Sequence, residues 1–177
     1  MLLRPGSLLI AHPLYSSEHC RKHVVFITES TALSTMGITL NNLSRYDLRE
    51  LMQDKGVDWP GERELWIGGT QRSTAMVMLH TSEWYSSNTL PVDHHFSISS
   101  DTLMIDKISD HNTPEWYKLF VGCVGWAPHE ITRELRGTKP RWLYLAYPST
   151  ELIEGDGETQ WDRAIAECSQ DLFNEYF

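Results

Sequence analysis

LFVGCVGWAPHEITREL, residues 119–135, runs from a strand through a tight corner into a helix, and the fold turns on how it is read. Leu119 to Val124 form an unbroken apolar run, the pattern of a strand covered on both faces. Pro128 suits the first position of a helix, where its missing N–H costs nothing. Ile131 and Leu135 then share one face, and Gly137 stops the helix after Arg136.

Outward from this corner, short β-rich runs recur at 7–11, 24–28, 36–40, 65–67, 75–79, 96–98 and 142–146. A helix is expected over 44–55, with Ser44 as cap, Leu43 and Leu48 as staple, Leu48, Leu51 and Met52 inward, and Gly56 as stop. A second helix starts near Ser100 with Met104, Ile105 and Ile108 inward, and Thr113 with Pro114 suggests one short turn. The last starts near Thr159, where Trp161, Ala164, Ile165 and Cys168 follow helical spacing. Strands crowd the first half, and no regular strand–helix alternation appears. The expected class is α+β with a mixed sheet, in a single domain over 1–177, without repeat or linker.

Composition narrows function. A net charge of −9 opposes nucleic-acid binding, which requires clustered cations, and RGTKPR at 136–141 reads as a solvated loop. Three well-separated cysteines without CxxC spacing fit a reduced compartment. No apolar segment reaches the roughly 20 residues that span a bilayer. A soluble, cytoplasmic protein without membrane contact is expected.

The chemical candidates are few. Cys123 lies on the strand, outside any nucleophile elbow, and reads as packed. Ala127 at the N-cap offers no side-chain oxygen, so the first amides of the helix are expected to be free for water or an anion, with Gly125 permitting close approach. IGGTQRS at 67–73 is a second glycine turn, lacking the Lys of a phosphate loop. Histidine spacing fits no zinc or iron site, and ELIEGDGETQWD, 151–162, reads as an acidic loop rather than a calcium loop. No metal and no cofactor are expected.

SLLIAHPLY, VVFITE, MGITLNN, LWIGGT, VMLHT, ISSDTL, FVGCVGWAPHEITREL and QWDRAI, in this order across nearly the whole chain, resemble the bacterial YqgE/AlgH family. The resemblance implies a small cytoplasmic protein with a mixed, mostly antiparallel sheet curled toward a barrel and helices packed outside, and no established activity or cofactor. One branch carries a label as a regulator of exopolysaccharide gene expression. The motif positions are Gly37, Asn41, Gly68, Gly69, His80, Gly125, Trp126 and Glu130. The chain departs from the pattern at Asn42 and Leu43 (usually Lys-Pro), at Thr70 (usually Pro), and at Cys20 and His23 (usually Phe and Ser).

Two function classes follow. The first is a non-catalytic binding or regulatory protein taking a small anionic ligand or a protein partner, with Gly68, Gly69, Thr70, Gly125, Trp126 and Ala127 as the ligand set. The second is a hydrolase using His80 as base with Asp101 or Glu130. Duplex DNA binding is least compatible with the charge. Oligomeric state is left open.

Overall fold

The computed structural model describes residues 2–176. In chain order the strands are β1 (Leu8–Ala11), β2 (Val24–Ser30), β3 (Thr35–Thr39), β4 (Leu43–Asp47), β5 (Glu64–Ile67), β6 (Gln71–Thr81), β7 (Leu90–Pro91), β8 (Phe96–Ser99), β9 (Tyr117–Trp126) and β10 (Trp142–Leu145). The helices are α1 (Leu48–Asp54), α2 (Thr102–Ser109), α3 (Pro128–Arg136), α4 (Thr150–Ile153) and α5 (Gln160–Tyr176), and a 3₁₀ turn spans Glu18–Cys20.

All ten strands join one sheet in the order β10-β1-β2-β3-β9-β6-β8-β7, with β4 paired to β5 and β5 to β9. Every pairing is antiparallel except β5 with β9. The sheet curls into a half-barrel, the α+β architecture expected.

Side-chain alternation sorts the apolar residues between two faces. Leu8, Ile10, Val24, Phe26, Ile38 and Phe120 point to one face, where Leu152 and Ile153 of α4 and Ala164 and Cys168 of α5 cover them. Leu9, Val25 and Ile27 point to the other, against Ile131 of α3. Further along that side, Leu65, Met78 and Leu119 meet Leu48 and Met52 of α1 and Met104 and Ile108 of α2. Fully burying each such Leu, Ile or Phe contributes about 1.5–3 kcal/mol, so packing on both faces holds the sheet far more than any exposed ion pair does.

Gly122 interrupts this alternation. Phe120 and Cys123 both pack on the α5 face, although they stand an odd number of residues apart, while Val124 and Trp126 pack on the α3 side. The slip falls at Gly122, whose φ of 73° is open to glycine. It lets β9 pair with β5 through Phe120 and Val121, then with β3 through Val124 to Trp126.

Several local expectations need correction. Residues 43–47 form β4, and the helix starts at Leu48, because Asp47 rather than Ser44 caps it: Asp47 Oδ1 accepts from the amides of Arg49 (2.8 Å) and Glu50 (3.3 Å). Leu43 is exposed opposite Trp66, so the expected staple does not form. Thr113 and Pro114 belong to an irregular link, and β7 and α4 were not anticipated. The segment read as an acidic loop begins inside α4, with Leu152 and Ile153 in the core.

Candidate functional site

The two glycine turns meet. Gly68 and Gly69, after β5, lie directly against the backbone of β9: a Cβ on Gly69 would overlap the Cys123 carbonyl, and one on Gly68 would overlap the Gly122 carbonyl. Hydrogen bonds fix the contact, from Gly68 N to Val121 O and from Thr39 N to Gly68 O, both 2.8 Å. These glycines therefore pack against backbone and do not line the cleft beside them. Their close packing carries the chain on to Thr70 and Gln71, and Gln71 Nε2 donates to the Gly125 carbonyl at 3.3 Å.

Thr70, Gly125 and Trp126 line one cleft of about 190 Å3. Its other walls are the turn bearing Ser17, Cys20 and His23, and Glu134 of α3, Arg141 of the following link and Trp142 of β10. Glu134 organises the floor. Its Oε2 accepts from the indole N–H of Trp142 (2.8 Å) and of Trp126 (3.1 Å), while Oε1 faces Arg141 at 3.4 Å. The two indoles stand edge to face, 6.0 Å between centroids. Burial lowers the pKa of His23, which keeps its ring neutral at pH 7. No hydrogen bond to the side chains of Ser17, His23 or Thr70 is found among the described residues.

Three of the five positions where the sequence departs from the pattern it resembles, Cys20, His23 and Thr70, line the cleft, and the other two, Asn42 and Leu43, do not. The wall residues Glu134, Arg141 and Trp142 were not anticipated. A usable signal existed in Trp126, since a half-buried indole requires an acceptor and α3 begins two residues later.

The start of α3 is not bare as expected. The Glu130 carboxylate turns back to accept from Ala127 N at 2.8 Å. Pro128 has no N–H, and the amides of Glu130 and Ile131 both reach the Ala127 carbonyl. Only half of a capping box is present, because alanine has no acceptor to complete it. A carboxylate thus occupies the place reserved for an anion, and Ala127 does not line the cleft.

His80, Asp101 and Glu130 do not converge. His80 pairs with Tyr117 at one end of β9 and Glu130 caps the residue after the other end, so about 30 Å of strand separates them. His80 is fully buried. Thr81 O can only accept, so His80 Nδ1 carries the proton (2.9 Å) and Nε2 accepts from the Ser99 hydroxyl (2.9 Å). Burial holds the ring neutral. Thr89 Oγ1, taking the Ser86 amide at 2.7 Å, donates in turn to Ser99 Oγ at 2.6 Å. Asp101 caps α2 through Met104 N (2.8 Å) and receives the Ser86 hydroxyl (2.6 Å). His80 reaches it only through this hydrogen-bonded chain, which runs from the buried His80 and Ser99 to the half-buried Thr89 and Asp101 and ties β6, β8 and α2 together.

The remaining motif positions shape the sheet. Gly37 leaves room for the Phe26 carbonyl beside the β2 irregularity. Asn41 holds the preceding turn, accepting from Val24 N (2.9 Å) and donating to Lys22 O (2.7 Å), where Lys22 has φ 60°. Cys123 packs on the α5 face with its thiol pKa raised by burial. Among the described residues, no three His, Cys, Asp or Glu side chains are grouped to hold a metal, and no helix is long and apolar enough to cross a membrane.

A curled, mostly antiparallel sheet with helices on both faces and a small polar cleft at one corner defines an α+β half-barrel protein. The chain belongs to the AlgH-like family, DUF179, whose model matches residues 8–173. It is 28% identical over 168 residues to a UPF0301 protein of Marinomonas sp. (strain MWYL1), covering 93% of this chain and 88% of that one. A UPF0301 protein of Xylella fastidiosa (strain 9a5c) is 25% identical over 172 residues, covering 95% and 90%. The solution structure of the AlgH protein from Pseudomonas aeruginosa superposes with a TM-score of 0.76 at 23% identity, over 92% of this chain and 87% of that one. A crystal structure from Corynebacterium diphtheriae gives 0.70 at 18% identity, over 91% and 85%. At such identities the structural likeness speaks for the fold alone.

Proposed function

We propose that the chain is a non-catalytic binding protein of the bacterial cytoplasm, whose cleft at the β9 corner takes a small polar molecule bearing at most one negative charge. The observation that supports this reading is the meeting of Thr70, Gly125 and Trp126 in one cleft with Ser17 and His23, where the side chains of Ser17, His23 and Thr70 have no hydrogen-bond partner among the described residues. The charges narrow the ligand. Arg141 already faces Glu134, and Glu130 closes the helix start, so a polyanion would meet carboxylates without a free cation to offset them. His23, Thr70 and Ser17 suit a hydroxyl, amide or single acid group.

Catalysis draws no support from the geometry. The three residues of the hydrolase reading are separated, and His80 is spent in a buried chain. Regulation through a protein partner is compatible with the same cleft if the bound molecule controls docking. The test is to pass small-molecule extracts over the full chain and identify what is retained by mass spectrometry. Retention of a polar compound by the wild type and its loss in Trp126→Phe with Thr70→Val supports the reading. Equal retention by both, or retention by neither, sinks it.

A further inference from the structure

A second groove, of about 370 Å3, lies toward the other end of β9, about 25 Å of strand from Trp126. Lys118 lines it, and its surroundings are unusual for a lysine. The amino group donates to the Leu40 carbonyl at 2.6 Å and sits 3.5 Å from the centroid of the Trp66 ring. Five carboxylates, Glu62, Glu64, Glu115, Glu154 and Asp156, rim the groove. None approaches within the 4.0 Å of an ion pair among the described residues. The amine is thus anchored by one hydrogen bond and backed by an aromatic face, on a side chain that lines the groove, with no second hydrogen-bond or ion-pair partner among the described residues.

We infer that Lys118 is a covalent capture site for small uncharged or cationic carbonyl compounds, which enter the groove beside Trp116 and form an imine with its amino group. The rim sets the class: five carboxylates repel an anionic aldehyde and tolerate a neutral or cationic one. In the step, the Nζ lone pair adds to the carbonyl carbon. The resulting carbinolamine oxygen leaves as water with the two protons that nitrogen gives up, forming C=N without oxidant or reductant. The charge state fits. Burial pushes the Lys118 pKa down to about 8, against the opposing pull of Asp156 and Glu64. At neutral pH a larger share of this amine is therefore neutral than of an ordinary lysine.

The chain has five lysines, which supply internal controls: Lys22, Lys55, Lys107, Lys118 and Lys139. The full chain would be treated with benzaldehyde at pH 7.5, trapped with cyanoborohydride and mapped by peptide mass spectrometry. Lys118 is expected to label at least about tenfold faster than the other four, with a rate that saturates in aldehyde, and the para-carboxylate analogue is expected to be at least about tenfold slower. Labelling at or below the rate of the other lysines overturns the assignment. So does fast labelling that stays linear in aldehyde, which would mark an activated amine without a site. Because the native chain is used, no outcome depends on a variant folding. The result is also independent of the cleft at Trp126.

Discussion

Glycines that look alike in sequence differ sharply in what surrounds them. At Gly69 an added methyl would run into the β9 backbone at Cys123, which cannot move without breaking the β5 and β6 pairings. At Gly125 the nearest atoms are the ends of Gln71 and Met36, 2.8 Å away, and both side chains can swing aside. Gly69→Ala is therefore expected to cost at least about 2 kcal/mol, and Gly125→Ala less than about 1 kcal/mol, by urea unfolding. Equal costs would contradict the assignment of Gly69 to structure and Gly125 to the cleft wall. Titration gives a second check. The folded pKa of Lys118, about 8, lies below its ordinary value of 10.5, so the unfolded chain holds more protons between these values and stability rises with pH across that window. A Lys118→Met variant should lack that rise. The lowered pKa of His80 has the same sign at lower pH, with stability lost as pH falls below its ordinary value of 6.5. His80→Asn should flatten the acid limb.

At the scale of elements, caps decide where helices begin. Asp101 holds α2 by accepting from Met104 N, and it also receives Ser86. Asp101→Ala is expected to destabilise by about 1 kcal/mol and Asp101→Asn by less, because Asn keeps one oxygen for Met104 N and Ser86 but loses the acceptor that Asn88 N uses at 3.1 Å, read from thermal unfolding. An Asn variant as damaged as the Ala variant would point to a role for the second oxygen or the charge. The same logic explains what the sequence left hidden. β4 buries only one side chain, that of Ser44, so it carries no apolar alternation, and its Leu43 imitates a helix staple. α3 was legible because Pro128, the Ile131 and Leu135 spacing and Gly137 are all local signals. Its capping was not, since Glu130 replaces a side chain that Ala127 lacks. Glu134 was equally hidden, because its meaning depends on two indoles, one before α3 and one after it.

For the whole molecule, the apolar strands and the lack of a regular strand–helix alternation announced a mixed sheet, while its mostly antiparallel character was implied only by the family resemblance. The slip at Gly122 was not announced, because a change of face arises from one φ value and leaves composition unchanged. That slip makes the cleft: it turns Trp126 toward α3 while the Gly68–Gly69 contact brings Thr70 alongside Gly125. Thr70 and Gly125 were legible as turn residues, but Cys20, His23, Arg141 and Trp142 reach them from distant parts of the chain. The most direct measurement is a pair of two-dimensional NMR spectra, amide and indole, recorded during titration with small polar metabolites. The proposed binding role predicts movement of the Gly125 amide and of the Trp126 and Trp142 indole signals, with the Ser99 and His80 signals unmoved. Movement confined to His80 and Ser99, or stillness at all of these signals across the metabolite set, would contradict it.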